Sequence, residues 1–423
     1  MVPQPTILAV TAALAGFAAA SPVRPSIPPR IPPSIHHKAG SFSLPQVINH
    51  FFRPHGPTQL AKTLAKYGVA LPDGLARTVA KFDASRLAAR DSGSVETTPE
   101  QYDIQYLTPV QIGSPPQTLH LDLDSGSSDL WVFSTETPST SVSGQTLYDP
   151  KKSNSSQKVD GASWHITYGD KSSSSGDVYH DTVKVGGITV KGQAVESATQ
   201  VSAQFTRDSN NDGLLGLAFS TLNTVTPKPE LTWFDNAAKT LDAPVWAADL
   251  KYHKPGTYDF GKIDKSKYTG EIAYVDVDSS DGFWGFESSG YAIGNGSFTS
   301  SPFKGIADTG TTLALIPAAA VEAYYKAVPG ATLDATQGGY VFPCDATLPD
   351  FVLGVGDAGR IRIPGQYVNY APADQSGKSC FGGIQSDEDV GFSIIGDAAL
   401  KAAYVVFDAT PGKPRLGWAS KAL

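Results

Sequence analysis

One pattern occurs twice in the sequence, and this repeat restricts the fold more than any other feature. "LDLDSGSSDLWV" contains Asp-Ser-Gly at residues 124–126, and "GIADTGTTLALIP" contains Asp-Thr-Gly at residues 308–310. An apolar-apolar-glycine element follows each copy, at residues 214–216 and 394–396. A single Asp-Ser/Thr-Gly is usually only a turn. Two copies, each followed by the same kind of partner element, indicate two related halves.

The residues around the first copy predict a buried turn. In "TLHLDLDSGSSDLWVF", three leucines alternate with polar residues, which is the pattern of a strand with two different faces. Gly126 permits a tight turn, and the apolar run after it has to be buried. Asp124 is therefore expected to be partly desolvated, which destabilises the folded protein unless the carboxylate is hydrogen-bonded or has a function.

The composition favours a mostly β protein with two lobes. A chain of 423 residues is too long for one small hydrophobic core, so more than one lobe is expected. Charged residues make up only 17%, and 41 Gly and 31 Pro separate short runs rich in Val, Thr, Ser and Tyr, which is typical of strands joined by turns. We expect related β lobes at residues 94–267 and 268–423. Few helices are predicted, and the best candidates are "LTWFDNAAKTL" around Phe234 and "AAAVEAYYKAV" after Pro317.

The first 20 residues are typical of a secretory signal peptide. They carry no charge and end in Ala-Ala-Ala before Ser21. A transmembrane anchor is the weaker alternative, because Pro3 and Pro5 shorten the apolar span. No later segment of the sequence approaches membrane-spanning length. We therefore expect a soluble protein that is secreted to the extracellular space.

Charge separates the next segment from the rest of the chain. Residues 21–93 hold ten Lys and Arg against three Asp, a net charge of +7, whereas residues 94–423 hold 23 basic and 38 acidic residues, a net charge of −15. The basic segment lacks the interleaved aromatic residues of a nucleic-acid surface. A removable pro-segment that is attracted to an acidic body is the simpler interpretation.

Cysteine and histidine usage limits the other chemistries. The only cysteines are Cys344 and Cys380, and two cysteines in an exported chain more often form a disulfide bond than stay free. The four His residues of 94–423 show no H-E-x-x-H or other metal-binding spacing, so neither a metal nor a cofactor is expected. The sequence contains no G-x-S-x-G motif and no reactive-cysteine context.

If the two halves face each other, Asp124 and Asp308 can meet between them. Two touching carboxyl groups cannot both ionise cheaply, so the pair holds one proton. The charged member can accept a proton from water while the protonated member donates one to a carbonyl oxygen. Because such a pair titrates as a unit, activity is expected at acid pH.

Stretches that are similar to one known protein family run through nearly all of residues 94–423. They include "DSGSSDLWVFS", "WHITYGDKSSSSGDVYHDTVKVGG", "NDGLLGLAFS", "GIADTGTTLALIP" and "GFSIIGDAALKAAYVVFD". The chain resembles the pepsin family of aspartic endopeptidases, in particular the fungal secreted branch of penicillopepsin and aspergillopepsin, for which a proton-sharing carboxyl pair is the established arrangement. The resemblance implies a mostly β, bilobed acid-protease fold with an active-site cleft. It also implies a monomeric, pepstatin-sensitive endopeptidase, made as a zymogen, that cuts polypeptides at acid pH and prefers apolar residues around the cut bond.

The resemblance assigns Asp124 and Asp308 to the catalytic pair. It assigns their neighbours to the support of that pair. In this assignment, the hydroxyl groups of Ser127 and Thr311 bond the outer carboxylate oxygens, and those of Ser125 and Thr309 lock the two loops together. The two glycines of the turns, Gly126 and Gly310, belong to the same support. Ser125 stands where threonine is more frequent. It keeps the hydroxyl and loses the stiffness of a β-branched side chain.

The resemblance also implies a flap that closes over substrate. The matching residues are Tyr168, Gly169, Asp170 and Ser172 in the flap, Trp131 as its support, and Thr312 as a further substrate contact. Without the family context, Trp131 would be interpreted as core and Tyr168 as an ordinary strand aromatic. Asp170 and Ser172 match residues that accept a lysine beside the cut bond, but they equally suit a hairpin turn. Lys171 stands where glycine is common, so acceptance of lysine stays open.

In the basic segment, Lys66 and Tyr67 resemble a Lys-Tyr pair that plugs the cleft of zymogens, so the chain's own pro-segment is an expected intramolecular inhibitor. The alternative is a lysine on a solvated helix face. Asn154 and Asn295 begin sequons and are candidate glycosylation sites.

Two other classes of function compete with an acid protease. Some proteins of this fold have lost catalysis and act as binding modules, but both aspartates and Tyr168 are present here. A glycosidase with two carboxylates requires its carboxyl groups to lie several ångströms apart, with room for a sugar.

Overall fold

The structure is a computed structural model that describes residues 34–36, 40–50, 52–91, 105–167, 173–374 and 377–423. The predicted signal peptide at residues 1–20, the end of the predicted pro-segment at residue 93 and the flap residues Tyr168, Gly169, Asp170 and Ser172 lie outside the described residues.

The described part of the chain is mostly β. Its strands are β1 (Ser34–His36), β2 (Phe42–Pro45), β3 (Val47–Ile48), β4 (Tyr106–Ile112), β5 (Gln117–Asp124), β6 (Leu130–Val132), β7 (Gln157–Thr167), β8 (Ser173–Val185), β9 (Ile188–Gln200), β10 (Gly213–Gly216), β11 (Val245–Asp249), β12 (Thr257–Phe260), β13 (Thr269–Asp276), β14 (Gly285–Ile293), β15 (Phe303–Ala307), β16 (Ala314–Ile316), β17 (Thr332–Asp334), β18 (Gly339–Pro343), β19 (Phe351–Val355), β20 (Gly359–Ile363), β21 (Asn369–Pro372), β22 (Ser379–Gly382), β23 (Ile384–Ser386), β24 (Ser393–Ile395), β25 (Ala403–Asp408) and β26 (Arg415–Ser420). Its α-helices are α1 (Gly56–Lys66), α2 (Asp73–Asp91), α3 (Ala203–Thr206), α4 (Trp233–Ala237), α5 (Ala318–Lys326), α6 (Gly365–Val368) and α7 (Asp397–Leu400).

Both helices predicted in the body are confirmed. Helix α5 follows Pro317, and the shorter α4 lies inside "LTWFDNAAKTL". The longest described helices, α1 and α2, belong instead to the basic segment. Helix α1 buries Leu60 and Leu64, which are four residues apart and therefore share one face of the helix.

Four sheets organise the strands. A nine-stranded sheet has the order β1-β9-β6-β10-β5-β4-β8-β7 with β3 paired to β4, and its strands run no further along the chain than β10. A seven-stranded sheet, β20-β19-β14-β15-β24-β16-β23, and a four-stranded sheet, β17-β18-β22-β21, use only strands from β14 onward. The prediction of a mostly β, bilobed fold is confirmed.

The fourth sheet draws strands from both halves of the chain. Its order is β13-β26-β25-β11-β12-β2, so strands from either side of the predicted boundary at residues 267 and 268 pair with each other. Trp246 of β11 stacks on Phe407 of β25 with ring centroids 3.7 Å apart. Such stacked, fully buried aromatic pairs add to the free energy of burial. The hydrophobic core is therefore continuous across the boundary.

The two halves repeat one strand arrangement around each aspartate. Strand β10 lies between β5 and β6 and pairs with β5 in parallel, which places Gly216 opposite Asp124. Strand β24 lies between β15 and β16 in the same way and places Ile395 opposite Ala307, the residue before Asp308. The apolar-apolar-glycine elements of the sequence are thus the central strands that hold the two aspartate-bearing strands.

Candidate active site

Each aspartate lies in the turn that follows a buried strand. On β5 the three alternating leucines (Leu119, Leu121 and Leu123) are at most 1% exposed. The apolar residues after the turn, including Trp131 and Val132, are buried as well. Asp124 and Asp308 are both 0% exposed. The turn is therefore held in the protein interior, as the alternation in the sequence predicts.

Reciprocal hydrogen bonds join the two turns. The Ser125 backbone N–H donates to Thr309 Oγ1 at 3.0 Å, and the Thr309 backbone N–H donates to Ser125 Oγ at 2.9 Å. Each hydroxyl then donates to the opposite chain segment, Ser125 to the Ala307 carbonyl and Thr309 to the Leu123 carbonyl. Buried amides and hydroxyls that are all paired in this way fix one relative position of the two turns.

Glycine is required in both turns because the opposite carboxyl group comes so close. A Cβ on Gly126 would lie 2.5 Å from Asp308 Oδ1, and a Cβ on Gly310 would lie closer still to Asp124 Oδ1. Real Cβ atoms are not found at such distances, so a side chain here would push the carboxyl groups out of place.

The two carboxyl groups lie side by side and are held by matched donors. One ammonium, Lys66 Nζ, lies 2.7 Å from Asp124 Oδ1 and 2.9 Å from Asp308 Oδ2. Ser127 Oγ donates to Asp124 Oδ2 at 2.6 Å, and Thr311 Oγ1 donates to Asp308 Oδ2 at 2.5 Å. The Gly126 and Gly310 backbone N–H groups donate to the Oδ1 atom of the aspartate in their own turn, at 2.8 and 3.0 Å. Carboxyl groups that share one ammonium do not leave the room for a sugar and a water molecule that an inverting glycosidase needs between them.

The two carboxyl groups differ in acidity. Burial raises the pKa of Asp124, although the Lys66 ammonium acts in the opposite direction. Burial by itself would raise the pKa of Asp308 too. The Lys66 ammonium and the hydrogen bonds from neighbouring groups outweigh burial and lower the pKa of Asp308 to about 2. One member of the pair therefore holds a proton more readily than the other, which is the condition for one proton between two carboxyl groups.

The last residue of α1 and the residue after it reach the aspartates. Lys66 Nζ lies 2.7 Å from Asp124 Oδ1, and 3.1 and 2.9 Å from the two carboxylate oxygens of Asp308. The Tyr67 hydroxyl donates to Asp308 Oδ2 at 2.6 Å, and its ring packs edge-on against Phe392. Burial alone would lower the pKa of Lys66, but the attraction of the two carboxylates outweighs it and raises the pKa above its usual value. The Lys66 side chain is therefore an ammonium.

A cavity of about 260 Å³ extends from the carboxyl pair between α1 and the body. Its apolar lining includes Trp131, Ile166, Phe205, Leu214, Leu222 and Phe283. Trp131 is 1% exposed, and its indole Nε1–H has no hydrogen-bond partner among the described residues. Thr312 also lines the cavity, where its hydroxyl donates to Gln59 Oε1 of α1 at 3.1 Å.

The remaining predicted residues lie away from the cavity. Cys344 and Cys380 form the predicted disulfide bond, with an S–S distance of 2.02 Å. Asn154 and Asn295 are both exposed.

Sequence reasoning missed a second contact of α1 with the body. Lys62 Nζ lies 3.0 Å from Asp208 Oδ2. Lys62 precedes Lys66 by four residues, so the two ammonium groups leave the same face of the helix. That spacing was the available signal that Lys62 faces the body when Lys66 does, although it does not identify Asp208 as the partner.

Two further absences concern the described part of the chain. None of its groups of His, Cys, Asp and Glu has three members placed so that they could hold a metal ion. None of its helices combines the length and the apolar character that a membrane crossing requires.

Comparison with known proteins identifies the family. The family model described as eukaryotic aspartyl protease matches residues 105–421. The chain belongs to this family. This eukaryotic aspartyl protease is 54% identical to endothiapepsin of Cryphonectria parasitica over 97% of its own length and 98% of the relative's. It is 49% identical to aspergillopepsin-1 of Aspergillus flavus, over 98% of each chain, and 53% identical to penicillopepsin-1 of Penicillium rubens, over 86% of this chain and 88% of the relative. The protease is thus an aspartic endopeptidase of the fungal pepsin-like type, as the motifs predict.

Proposed function

We propose that the chain is an acid-active endopeptidase in which Asp124 and Asp308 together activate water for attack on a peptide bond. The observation that carries the proposal is the buried carboxyl pair, which lies within reach of one ammonium and which the reciprocal bonds of Ser125 and Thr309 hold in position. Groups held this rigidly do not have to reorganise when charge develops in the reaction.

The proposed chemistry needs one proton on the pair. The ionised carboxylate accepts a proton from water while the protonated carboxyl donates one to the carbonyl oxygen of the substrate, and a gem-diol forms. The amide nitrogen then takes a proton from the pair and leaves as the amine, and one hydroxyl of the gem-diol returns a proton to the pair as the carbon collapses to a carboxylic acid. The hydroxyls of Ser127 and Thr311 stabilise the charged oxygens throughout. Because one proton must be present, activity requires acid pH.

Replacement of either aspartate tests this mechanism. Asp124→Asn and Asp308→Asn remove the acid–base function and keep the shape, so we expect digestion of denatured haemoglobin at acid pH to fall by about 10³-fold or more. Asp357→Asn, in the exposed turn between β19 and β20, is the matched control and should keep full activity. Retained activity in either active-site variant would remove the dyad mechanism. Indifference of the wild-type protein to pepstatin would favour a binding module instead.

We further propose that the cavity binds an extended peptide with apolar side chains around the cut bond. Its apolar lining, with Phe205, Leu214 and Phe283 among the side chains, supports this preference. The unpartnered indole N–H of Trp131 at the cavity wall supports a role in holding Tyr168 of the flap. Backbone hydrogen bonds, as in strand addition, would supply affinity that does not depend on the peptide sequence.

We also propose that the chain is secreted as a zymogen. Residues 1–20 would be removed on export, residues 21–93 would be the pro-segment, and lobes at 94–267 and 268–423 would form the mature enzyme. The contacts of Lys66 with both aspartates, and of Tyr67 with Asp308, support a plug that keeps water and substrate from the carboxyl pair.

The plug is expected to weaken as the pH falls. The Lys66 ammonium lowers the pKa of both Asp124 and Asp308 relative to an open cleft. Closing the plug therefore releases protons, so the closed state is favoured at higher pH and loses stability as acid protonates the carboxyl groups. Lys66 stays charged throughout, since the pKa of its ammonium is raised above the usual value of a lysine.

Removal of the Lys66 charge tests the plug. Lys66→Met leaves two buried carboxyl groups without their cation, which is a strongly destabilising change. We expect the full-length chain to convert to the mature form at least about tenfold faster near neutral pH. Lys81→Met, at an exposed position of α2, is the control and should convert like the wild type. An unchanged conversion rate for Lys66→Met would discard the plug.

A further inference from the structure

We propose that Asp208 forms a subsite for a basic side chain of the substrate, about two residues from the cut bond. The proposal rests on cleavage at the Asp124–Asp308 pair. Among the described residues, the pro-segment already places one lysine at this position, and the body supplies the carboxylate that receives it.

The Asp208 carboxylate is oriented by the body of the protein and not only by the pro-segment. Its Oδ2 atom accepts hydrogen bonds from Gln105 Nε2 at 3.2 Å and from Asn211 Nδ2 at 3.4 Å, in addition to Lys62 Nζ at 3.0 Å. The residue is 9% exposed and lines the cavity. A carboxylate held by two amide donors stays in place when the lysine leaves.

The main chain of Asp208 makes contacts of its own, apart from those of the carboxylate. The Asp208 N–H donates to the Phe205 carbonyl at 3.0 Å, and the Asp208 carbonyl accepts from Gln145 Nε2 at 3.2 Å. These bonds hold the Asp208 backbone in addition to the bond from Asn211 to the carboxylate. The turn therefore keeps part of its support when the carboxylate is replaced.

Removal of the pro-segment would take the Lys62 ammonium away from Asp208. In the described part of the chain, Lys62 is the only basic side chain in an ion pair with Asp208. The neighbouring Arg207 extends to Asp83 of α2, which belongs to the same segment, so Arg207 would lose its partner as well. On the body side, Asp208 lies close enough to the Asp122 carboxylate to repel its charge. An acidic, partly desolvated pocket attracts a cationic group more strongly than the open surface does.

The position of the subsite follows from the spacing of the two lysines. Lys62 and Lys66 are four residues apart on α1, which is about 6 Å along the helix axis. An extended peptide covers about the same distance in two residues, and residues two apart share a face. Since Lys66 occupies the carboxyl pair where the cut bond would lie, Asp208 would receive a side chain about two residues away. The methylene groups of a lysine can pack on the Phe205 and Leu214 side of the cavity, as long basic side chains do.

Matched peptides test the proposal on the mature wild-type enzyme. One series carries lysine, and its partner carries acetyl-lysine, at each of the four positions on either side of a fixed apolar cut site. We expect one position, about two residues from the cut bond, at which kcat/KM for lysine exceeds that for acetyl-lysine by about tenfold, the effect of one charge-assisted hydrogen bond. Added salt should reduce this ratio, because it screens the ion pair.

Two variants separate the possible outcomes. Asp208→Asn should abolish the lysine preference at that position, whereas Asp357→Asn should leave it unchanged. Equal kcat/KM for lysine and acetyl-lysine at every position would overturn the proposal, even if Asp208→Asn did not fold. A lysine preference that survives in Asp208→Asn would also overturn it and would direct attention to the flap residues Asp170 and Ser172. Failure of the wild type to cut any peptide, including those without lysine, would instead overturn the proposed dyad.

Discussion

The two aspartate turns have the same backbone arrangement and different electrostatics. Both turns donate a glycine N–H and a hydroxyl to their own carboxylate, and both reach across to the other turn. The pKa of Asp124 is nevertheless raised and that of Asp308 lowered. Each carboxyl group acts on the other, which raises the pKa of Asp124 and lowers that of Asp308, whereas the Lys66 ammonium lowers the pKa of both. Helix α1 adds to the difference, since Lys66 contacts both oxygens of Asp308 but one of Asp124, and Tyr67 bonds to Asp308 alone. The interaction within the pair, together with the occupant of the cleft, makes the two aspartates unequal.

The sequences of the turns differ at two supporting positions, where Ser125 and Ser127 of the first turn correspond to Thr309 and Thr311 of the second. Ser125 in the first turn faces Thr309 in the second, and each hydroxyl makes the same pair of bonds to the opposite turn. The extra methyl group of Thr309 changes none of these bonds. A serine therefore meets the requirement of the first turn, because the hydroxyl forms the contacts and the β-branch of a threonine would only stiffen the side chain.

The largest effect is expected from filling the close approach between the turns. Gly126→Ala and Gly310→Ala each place a Cβ against the opposite carboxylate, so we expect proteolytic activity to fall by more than about 100-fold, the effect of a misplacement of about 1 Å. Gly187→Ala is the control, because its Cβ would meet no atom closer than 3.8 Å. Assays of kcat/KM on one peptide check the three variants, and full activity in either turn variant would contradict the close approach.

A smaller effect is expected from removing the reciprocal hydroxyl groups. Ser125→Ala and Thr309→Val each leave a buried N–H of the opposite turn and a buried carbonyl unpaired, so each should lower the free energy of unfolding by about 2–4 kcal/mol. Thr118→Val, at an exposed position of β5, should stay within about 0.5 kcal/mol of the wild type. Urea denaturation measures all three. Clearly unequal costs for Ser125→Ala and Thr309→Val would show that the two turns are not equivalent supports.

The smallest effect is expected from the difference between the contacts that Lys66 and Tyr67 make with Asp308 and with Asp124. In the full-length chain near neutral pH, Asp308→Asn removes the charge that both Lys66 and Tyr67 contact, whereas Asp124→Asn removes a single contact. We expect the amide hydrogens of α1 to exchange about tenfold faster in Asp308→Asn than in Asp124→Asn, as local opening becomes easier. Both variants are expected to be inactive, so self-cleavage does not interfere. The opposite order would assign the main anchor of the plug to Asp124.

Local patterns predicted much of this site. The alternation of Leu119, Leu121 and Leu123 predicted the strand, and the apolar run after the turn predicted its burial. The repeated apolar-apolar-glycine elements predicted two related halves, although not that they would be the central strands of each motif. Helices α4 and α5 and the Cys344–Cys380 disulfide were also predicted.

The contacts between distant parts of the chain could not be predicted in this way. The boundary expected at residue 267 falls within a sheet shared by both halves, because β11 and β12 pair with later strands and with β2 of the basic segment. The Lys62–Asp208 pair joins residues 146 positions apart, and no local pattern marks Asp208 as its partner. Ion-pair partners are chosen by the packing of whole elements.

The sequence by itself determined the two aspartate turns, because strand alternation, a permissive glycine and a buried apolar run are properties of neighbouring residues. Tertiary structure alone decided that the turns lie against each other, at a sequence separation of 184 residues, and that α1 sets an ammonium on the carboxyl pair. The physical reason is that proton sharing and charge pairing depend on distances of a few ångströms, and only the packed core sets those distances.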